Sequence, residues 1–221
     1  MNEVAVTTGV PDYGWDSAQA EQSHDYLQPA VLRALQSVAA RQPDRLSPLR
    51  VFDAGCGNGA LLHRLQSCGM EVAGCDASES GIGYARAMCG EGVQIAHMSV
   101  YDDLAGTFGA TWDAVVATEV IEHLYSPRDF IRQAERLLLP GGALVLTTPY
   151  HGYLKNLTLA ATGKLDAHFT ALWDGGHIKF WSYKTLGLLL REFGFTQLAF
   201  YGAGRLPWLW KSMVIVAGKP Q

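Results

Sequence analysis

A chain of 221 residues with 48% hydrophobic and 17% charged side chains carries enough apolar material for a continuous core, which excludes a disordered chain. The formal charge of −4 comes without any basic run, so no nucleic acid is expected as a partner, because phosphate binding needs clustered Lys and Arg. The four cysteines, Cys56, Cys68, Cys75 and Cys89, form no C-x-x-C pair, which excludes a zinc ribbon or thioredoxin-type site and fits a reducing compartment.

Residues 1–15 show no period and read as a loose arm. They hold neither a basic n-region nor an apolar h-region, so no signal peptide is expected. Two short helical stretches follow. The second opens at Pro29, a good first-turn residue, with Val31, Leu32, Leu35 and Val38 at helical spacing. Residues 43–48 form a connector.

An alternating pattern then begins. Residues 49–52 read as a strand, 54–59 as a tight glycine-rich loop, and 60–68 as a helix closed by Gly69. Residues 72–75 are a second strand, and Ser78 can cap a helix running to about Cys89. Residues 93–97 and 112–118 are the third and fourth strands. Ser126-Pro127-Arg128-Asp129 starts a helix that ends at Pro140-Gly141-Gly142, and 143–147 is a fifth strand. Such alternation specifies a mostly parallel sheet covered on both faces.

After Pro149 the rhythm breaks. Residues 150–180 are aromatic and too long for an ordinary connection, which makes them a candidate substrate lid. A helix resumes over 182–193. Residues 195–201 and 213–217 are two further strands with no helix between them, so they pair antiparallel or sit apart. No apolar run reaches membrane-spanning length. The expectation is one domain: a helical arm (1–48), a cofactor core (49–148), a lid insertion (150–180) and a C-terminal helix with a strand pair (182–221). Its expected setting is cytoplasmic, without stable membrane insertion, as a monomer or homodimer.

The strongest motif is Val51-Phe52-Asp53-Ala54-Gly55-Cys56-Gly57-Asn58-Gly59. A strand runs into glycines that open a helix, and glycine lets both the backbone turn and a ligand approach closely. In open α/β sheets, ligands sit beyond the carboxyl ends of the strands. Asp76 ends the next strand, where an acid can accept both hydroxyls of a ribose. Gly55-x-Gly57-x-x-Ala60 also fits a dinucleotide fingerprint. Against that stands Asp53, whose carboxylate is unfavourable beside a pyrophosphate and suits a ligand carrying an amine and a sulfonium.

These stretches, with Cys75-Asp76-Ala77-Ser78, residues 112–117 and residues 139–144, resemble the class I S-adenosylmethionine methyltransferases. The resemblance covers about residues 50–148. It implies a Rossmann-like seven-stranded sheet whose last strand inserts antiparallel. It implies S-adenosylmethionine as cofactor, with Gly55 and Gly57 cradling the methionine part and Asp53 and Cys56 also among the cofactor-binding residues. It further implies Asp76 on the ribose, with Ala77 and Ser78 beside it in the cofactor-binding stretch, Val100 and Tyr101 near the adenine, and Thr118 lining the methyl-donor pocket. Ser99-Val100-Tyr101-Asp102 departs from the family's usual Gly-Asp-Ala form.

Glu119-Val120-Ile121-Glu122-His123 is similar to a motif of two narrower groups, the ubiquinone-biosynthesis O-methyltransferases and the small-RNA terminal 2′-O-methyltransferases. In both it is associated with a divalent metal. At helical spacing Glu119, Glu122 and His123 fall on one face, and such a set suits Mg²⁺, Mn²⁺ or Zn²⁺. The alternative is a metal-free pocket floor. Gly176-His177 followed by Lys179-Phe180-Trp181 also resembles the ubiquinone-type group.

The expected reaction is in-line transfer of the sulfonium methyl to an oxygen of a small phenolic or hydroxylated metabolite. A phenol needs a base or a metal at neutral pH, and His123, His177 and His151 are the base candidates. Rival readings are an N-, S- or RNA-end methyltransferase, a cofactor-binding protein without turnover, and a nucleotide-dependent oxidoreductase. The apolar stretch 202–210 is expected to pack on the insertion or on a second copy.

Overall fold

The computed structural model describes Trp15 and residues 24–41, 46–169, 171–173 and 175–221. The rest of the expected arm, most of the first helical stretch, and residues 43–45 of the connector lie outside them. The first described element, α1 (His24–Ala39), starts five residues before Pro29, which lies inside it. An interior proline costs a helix one hydrogen bond. Here Leu27, 1% exposed, extends the apolar stripe of Val31, Leu35 and Val38 one turn upstream, and its burial outweighs that loss. Leu27→Ala is therefore expected to lower stability by about 2–5 kcal/mol, measured by urea unfolding.

Seven strands follow, β1 (Arg50–Ala54), β2 (Glu71–Asp76), β3 (Gln94–His97), β4 (Trp112–Thr118), β5 (Leu138–Pro149), β6 (Thr196–Ala203) and β7 (Ser212–Gly218). They form one sheet in the order β3-β2-β1-β4-β5-β7-β6. The first five are parallel, and β7 inserts antiparallel between β5 and β6. This is the Rossmann-like sheet, with its antiparallel C-terminal strand, that the resemblance implied.

Successive strand residues face opposite sides, and both sides are covered. Phe52, Val115, Leu144 and Ile215 share one core with residues of α4 (Leu104–Phe108), α5 (Pro127–Leu137) and α8 (Tyr183–Glu192). Val51, Val116, Val145 and Val216 share the other with α1, α2 (Ala60–Ser67) and α3 (Glu79–Cys89). Ser78 caps α3 by accepting from Gly81 N–H at 3.1 Å, as its position before the helix suggests.

Three boundaries differ from expectation. The short α4 escapes detection because five residues hold only one i,i+4 apolar pair, Leu104 and Phe108. Helix α5 stops at Leu137, and Pro140-Gly141-Gly142 belong to β5. There the register jumps from Trp112↔Leu138 to Ala114↔Ala143, a bulge that Gly141 accommodates at φ 78°. The insertion is not irregular throughout, since it contains α6 (Tyr153–Ala161) and α7 (Leu165–Phe169). In the 202–210 stretch, Trp210 packs on Tyr150 and Phe200, while Leu206 and Trp208 stay exposed.

Candidate functional site

The strand order reverses between β1 and β4, and a crevice at their carboxyl ends is where ligands bind in this architecture. The loop after β1 turns because Gly55 and Cys56 both donate to the Cys75 carbonyl, at 2.8 and 2.9 Å. Gly55 and Gly57 take φ of 84° and 51°, a region that penalises a side chain. A Cβ on Gly55 would lie 2.5 Å from Val120, and one on Gly57 2.6 Å from Trp15. The first contact joins the glycine loop to the chain leaving β4. The second sets the Trp15 ring against the loop, and Trp15 N–H also donates to Ser80 Oγ at 3.1 Å.

Asp76 holds this corner together. Its carboxylate accepts Gly57 N–H and Ser78 N–H, each at 2.8 Å. The neighbouring Ala77 carbonyl lies 2.9 Å from His97 Nε2. Asp53 is 1% exposed, and its Oδ1 finds no hydrogen-bond partner among the described residues. Burial, then the nearby Asp76 charge, holds this carboxyl well above the usual carboxylate range. Burial likewise raises the Cys56 thiol. Thr118 Oγ1 is a second buried atom without a partner. Val100 is buried, and the half-buried Tyr101 accepts Ser126 N–H on its hydroxyl at 3.2 Å.

Beyond β4 the expected helical face does not form. Glu119 has φ 55°, and only Ile121–His123 make a turn, of 3₁₀ type. The carboxylate of Glu119 accepts from Thr147 and Ser212 hydroxyls at 2.8 and 3.2 Å. It thus stands apart from the group that Glu122 and His123 join. Their third member is His177, the three ligand atoms lying within 4.8 Å of one another.

Backbone bonds across a large sequence gap build this trio. Ile178 and Lys179 N–H both donate to the Glu122 carbonyl at 2.9 Å. His123 Nδ1 lies 2.8 Å from the Gly175 carbonyl, which fixes Nδ1 as the donor and leaves the lone pair on Nε2. The His123 and His177 rings are 4.9 Å apart. Glu122 is fully buried, and the Thr148 hydroxyl lies close enough to favour its charged form without making a well-formed hydrogen bond to either oxygen. Burial, then Glu119, pushes its pKa well above the ordinary value. Burial, then His123, lowers His177 to about 4.

His151 belongs to a neighbouring aromatic group, 5.4 Å from His168, 5.2 Å from Phe180 and 6.2 Å from Phe169 by ring centroid. Burial, then Lys155, lowers it to about 4. Sequence reasoning missed Trp15, whose only signal is an aromatic in an otherwise patternless arm. It also missed Lys155, a helical lysine like any other until its burial is seen.

Residues 20–199 match the family described as "Methyltransferase domain". The chain belongs to that family. Its methyltransferase domain is 36% identical over 110 residues to the ubiquinone biosynthesis O-methyltransferase of Sinorhizobium medicae, covering 49% of this chain and 44% of that protein. The mitochondrial ubiquinone biosynthesis O-methyltransferase of Arabidopsis thaliana is 29% identical over 157 residues, 66% of this chain and 49% of that one. The chain thus spans about half the length of the curated relatives it matches. An O-methyltransferase family protein from Burkholderia thailandensis superposes with a TM-score of 0.65 at 17% identity, over 88% of this chain and 56% of that one. The methyltransferase domain of bacterial CtHen1 does so with 0.62 at 21% identity, over 87% and 97%. These two likenesses establish the fold. No helix among the described residues is long and apolar enough to cross a membrane.

Proposed function

We propose that this protein transfers the methyl group of S-adenosylmethionine to an oxygen of a small hydroxylated aromatic acceptor. The observation that carries the reading is the corner of Gly55, Gly57 and Asp76, with the unpartnered Asp53 oxygen behind it, inside a chain of the methyltransferase domain family. In this reading Asp76, which ends β2 beside the glycine loop, takes the ribose hydroxyls. Gly55, Cys56 and Gly57 give the methionine part its close approach. Asp53 faces the cofactor's amine, and a cationic partner suits a carboxylate oxygen with nothing bonded to it. Ala77, Ser78, Val100 and Tyr101 flank the nucleoside, and Thr118 lines the methyl-donor end. The O-methylation of a hydroxylated substrate is supported by the names of the relatives.

In the transfer, the sulfonium–carbon bond breaks as the oxygen–carbon bond forms, leaving the neutral thioether, and the acceptor hydroxyl gives up its proton to water. Alignment supplies most of the rate. The proton is the harder part. Moving it from a phenol of pKa about 10 to an imidazole held down to about 4 is strongly uphill. His177 and His151 at that basicity are weak acceptors. The arrangement at Glu122, His123 and His177 fits a divalent cation, since it sets a buried carboxylate without a well-formed hydrogen bond beside two imidazoles. Such an ion, when bound, lowers the pKa of an acceptor hydroxyl and so offsets that cost. His123 then acts as a ligand steered by Gly175. The segment 150–180 closes over the acceptor as a lid that excludes water.

The test is direct. S-adenosylhomocysteine should raise the melting temperature and NAD should not, and labelled S-adenosylmethionine should deliver methyl to a panel of catechols. A shift with NAD alone would replace the reading with an oxidoreductase. Cofactor binding with no transfer to any acceptor would leave a binding protein.

A further inference from the structure

The proposed transfer makes no use of Lys155, although α6 buries it to 7% exposure. Lysine is almost never buried so far unless paired. Its ammonium donates to the Lys211 carbonyl at 3.1 Å, which uses one of three donors. None of the ion pairs among the described residues includes it. The acid whose charge acts on it, Glu119, accepts from the Thr147 and Ser212 hydroxyls, one on each oxygen. Its other charged neighbour is Arg205, a like charge. His168 feels both cations, and its Nε2 is buried without a partner among the described residues.

The location matters as much as the charge. Lys211 leads into β7, Glu119 follows β4, and Lys155 follows β5. All three lie at the carboxyl edge of the sheet, the edge at which ligands bind in this architecture. The adjoining wall is aromatic, with Phe169 and Phe180 at 5.1 Å and His151 against both. Burial, then Arg205, lowers Lys155 to about 8, which leaves it mostly charged at neutral pH. A buried ammonium facing donors of its own sign destabilises a fold, and an anion arriving with the substrate reverses that.

We propose that Lys155, with Arg205 and His168, recognises a carboxylate on the acceptor, so that the acceptor is a hydroxylated aromatic acid rather than a neutral phenol. This rests on the methyltransferase reading above. Calorimetry on the full chain saturated with S-adenosylhomocysteine compares 3,4-dihydroxybenzoate with catechol. The wild type should bind the acid about tenfold tighter or better, as one charge-assisted contact warrants. Lys155→Met should bring the ratio to about one, and Arg205→Gln, at an exposed position, should lower it severalfold. A melting curve and S-adenosylhomocysteine affinity report the folding of each variant. Should Lys155→Met not fold, Arg205→Gln carries the comparison, and an unchanged ratio overturns the proposal. Equal affinities in the wild type, or failure to bind either phenol, overturn it while leaving the methyltransferase reading in place. Absence of S-adenosylhomocysteine binding removes both.

Discussion

Replacing Asp76 by alanine is expected to weaken S-adenosylhomocysteine binding by about 3 kcal/mol, roughly a hundredfold in Kd. Two losses add. The ribose loses a charged acceptor for its hydroxyls, and hydrogen bonds to charged groups are worth about 1.5–3 kcal/mol each. The Gly57 and Ser78 N–H groups also lose the carboxylate that fixes the loop, each bond being 2.8 Å long. Asp76→Asn keeps one acceptor oxygen and should fall between. It can serve Gly57 or Ser78 well, and it carries no charge for the ribose. Calorimetry reads the affinity, and urea unfolding separates the loop's loss from the ligand's. A folded Asp76→Ala protein with wild-type affinity would remove Asp76 from the cofactor site.

The parts of this molecule that were legible in the sequence are those set by local backbone need. A strand, three glycines and an acid at the end of the next strand declare a tight turn beside a ligand, because nothing else requires left-handed φ at Gly55 and Gly57 so close together. Strand–helix alternation declares a parallel sheet. The position of β7 between β5 and β6 came from the resemblance, since no periodicity tells one strand which two neighbours it will have. Where local rules failed, a longer-range force had won. Leu27 carried α1 past Pro29 by its burial, and a β-bulge drew Pro140-Gly141-Gly142 into β5. Glu119 left the expected face because Thr147 and Ser212 hold it. His177 meets His123 only because two amides on the far side of the insertion reach the Glu122 carbonyl. Lys155 and Arg205 are fifty residues apart in the chain, and no spacing rule connects them.

Glu122→Gln is expected to move stability and activity in opposite directions. The carboxylate is fully buried, with neither oxygen hydrogen-bonded within the described residues. With its pKa raised by burial, the carboxyl must take up a proton on folding at neutral pH, a cost that a neutral amide of the same shape avoids. The gain should be about 1–2 kcal/mol, because the amide still lacks full hydrogen bonding. For a chain of this size that is a rise of about 2–8 °C in Tm in the absence of added metal. Activity should go the other way if Glu122, His123 and His177 hold a divalent ion. Excess chelator should then abolish wild-type turnover, and Mn²⁺ or Mg²⁺ should restore it. The same ion at a hundred times its Kd should stabilise the wild type by about 2.7 kcal/mol. Glu122→Gln should show neither the rescue nor the shift in Tm. Full activity in chelator, with Glu122→Gln equally active, would reduce the trio to a pocket floor and leave the cofactor site untouched. A lower Tm for Glu122→Gln would show that the buried carboxyl is held by bonds an amide cannot copy, the Thr148 hydroxyl being the candidate donor.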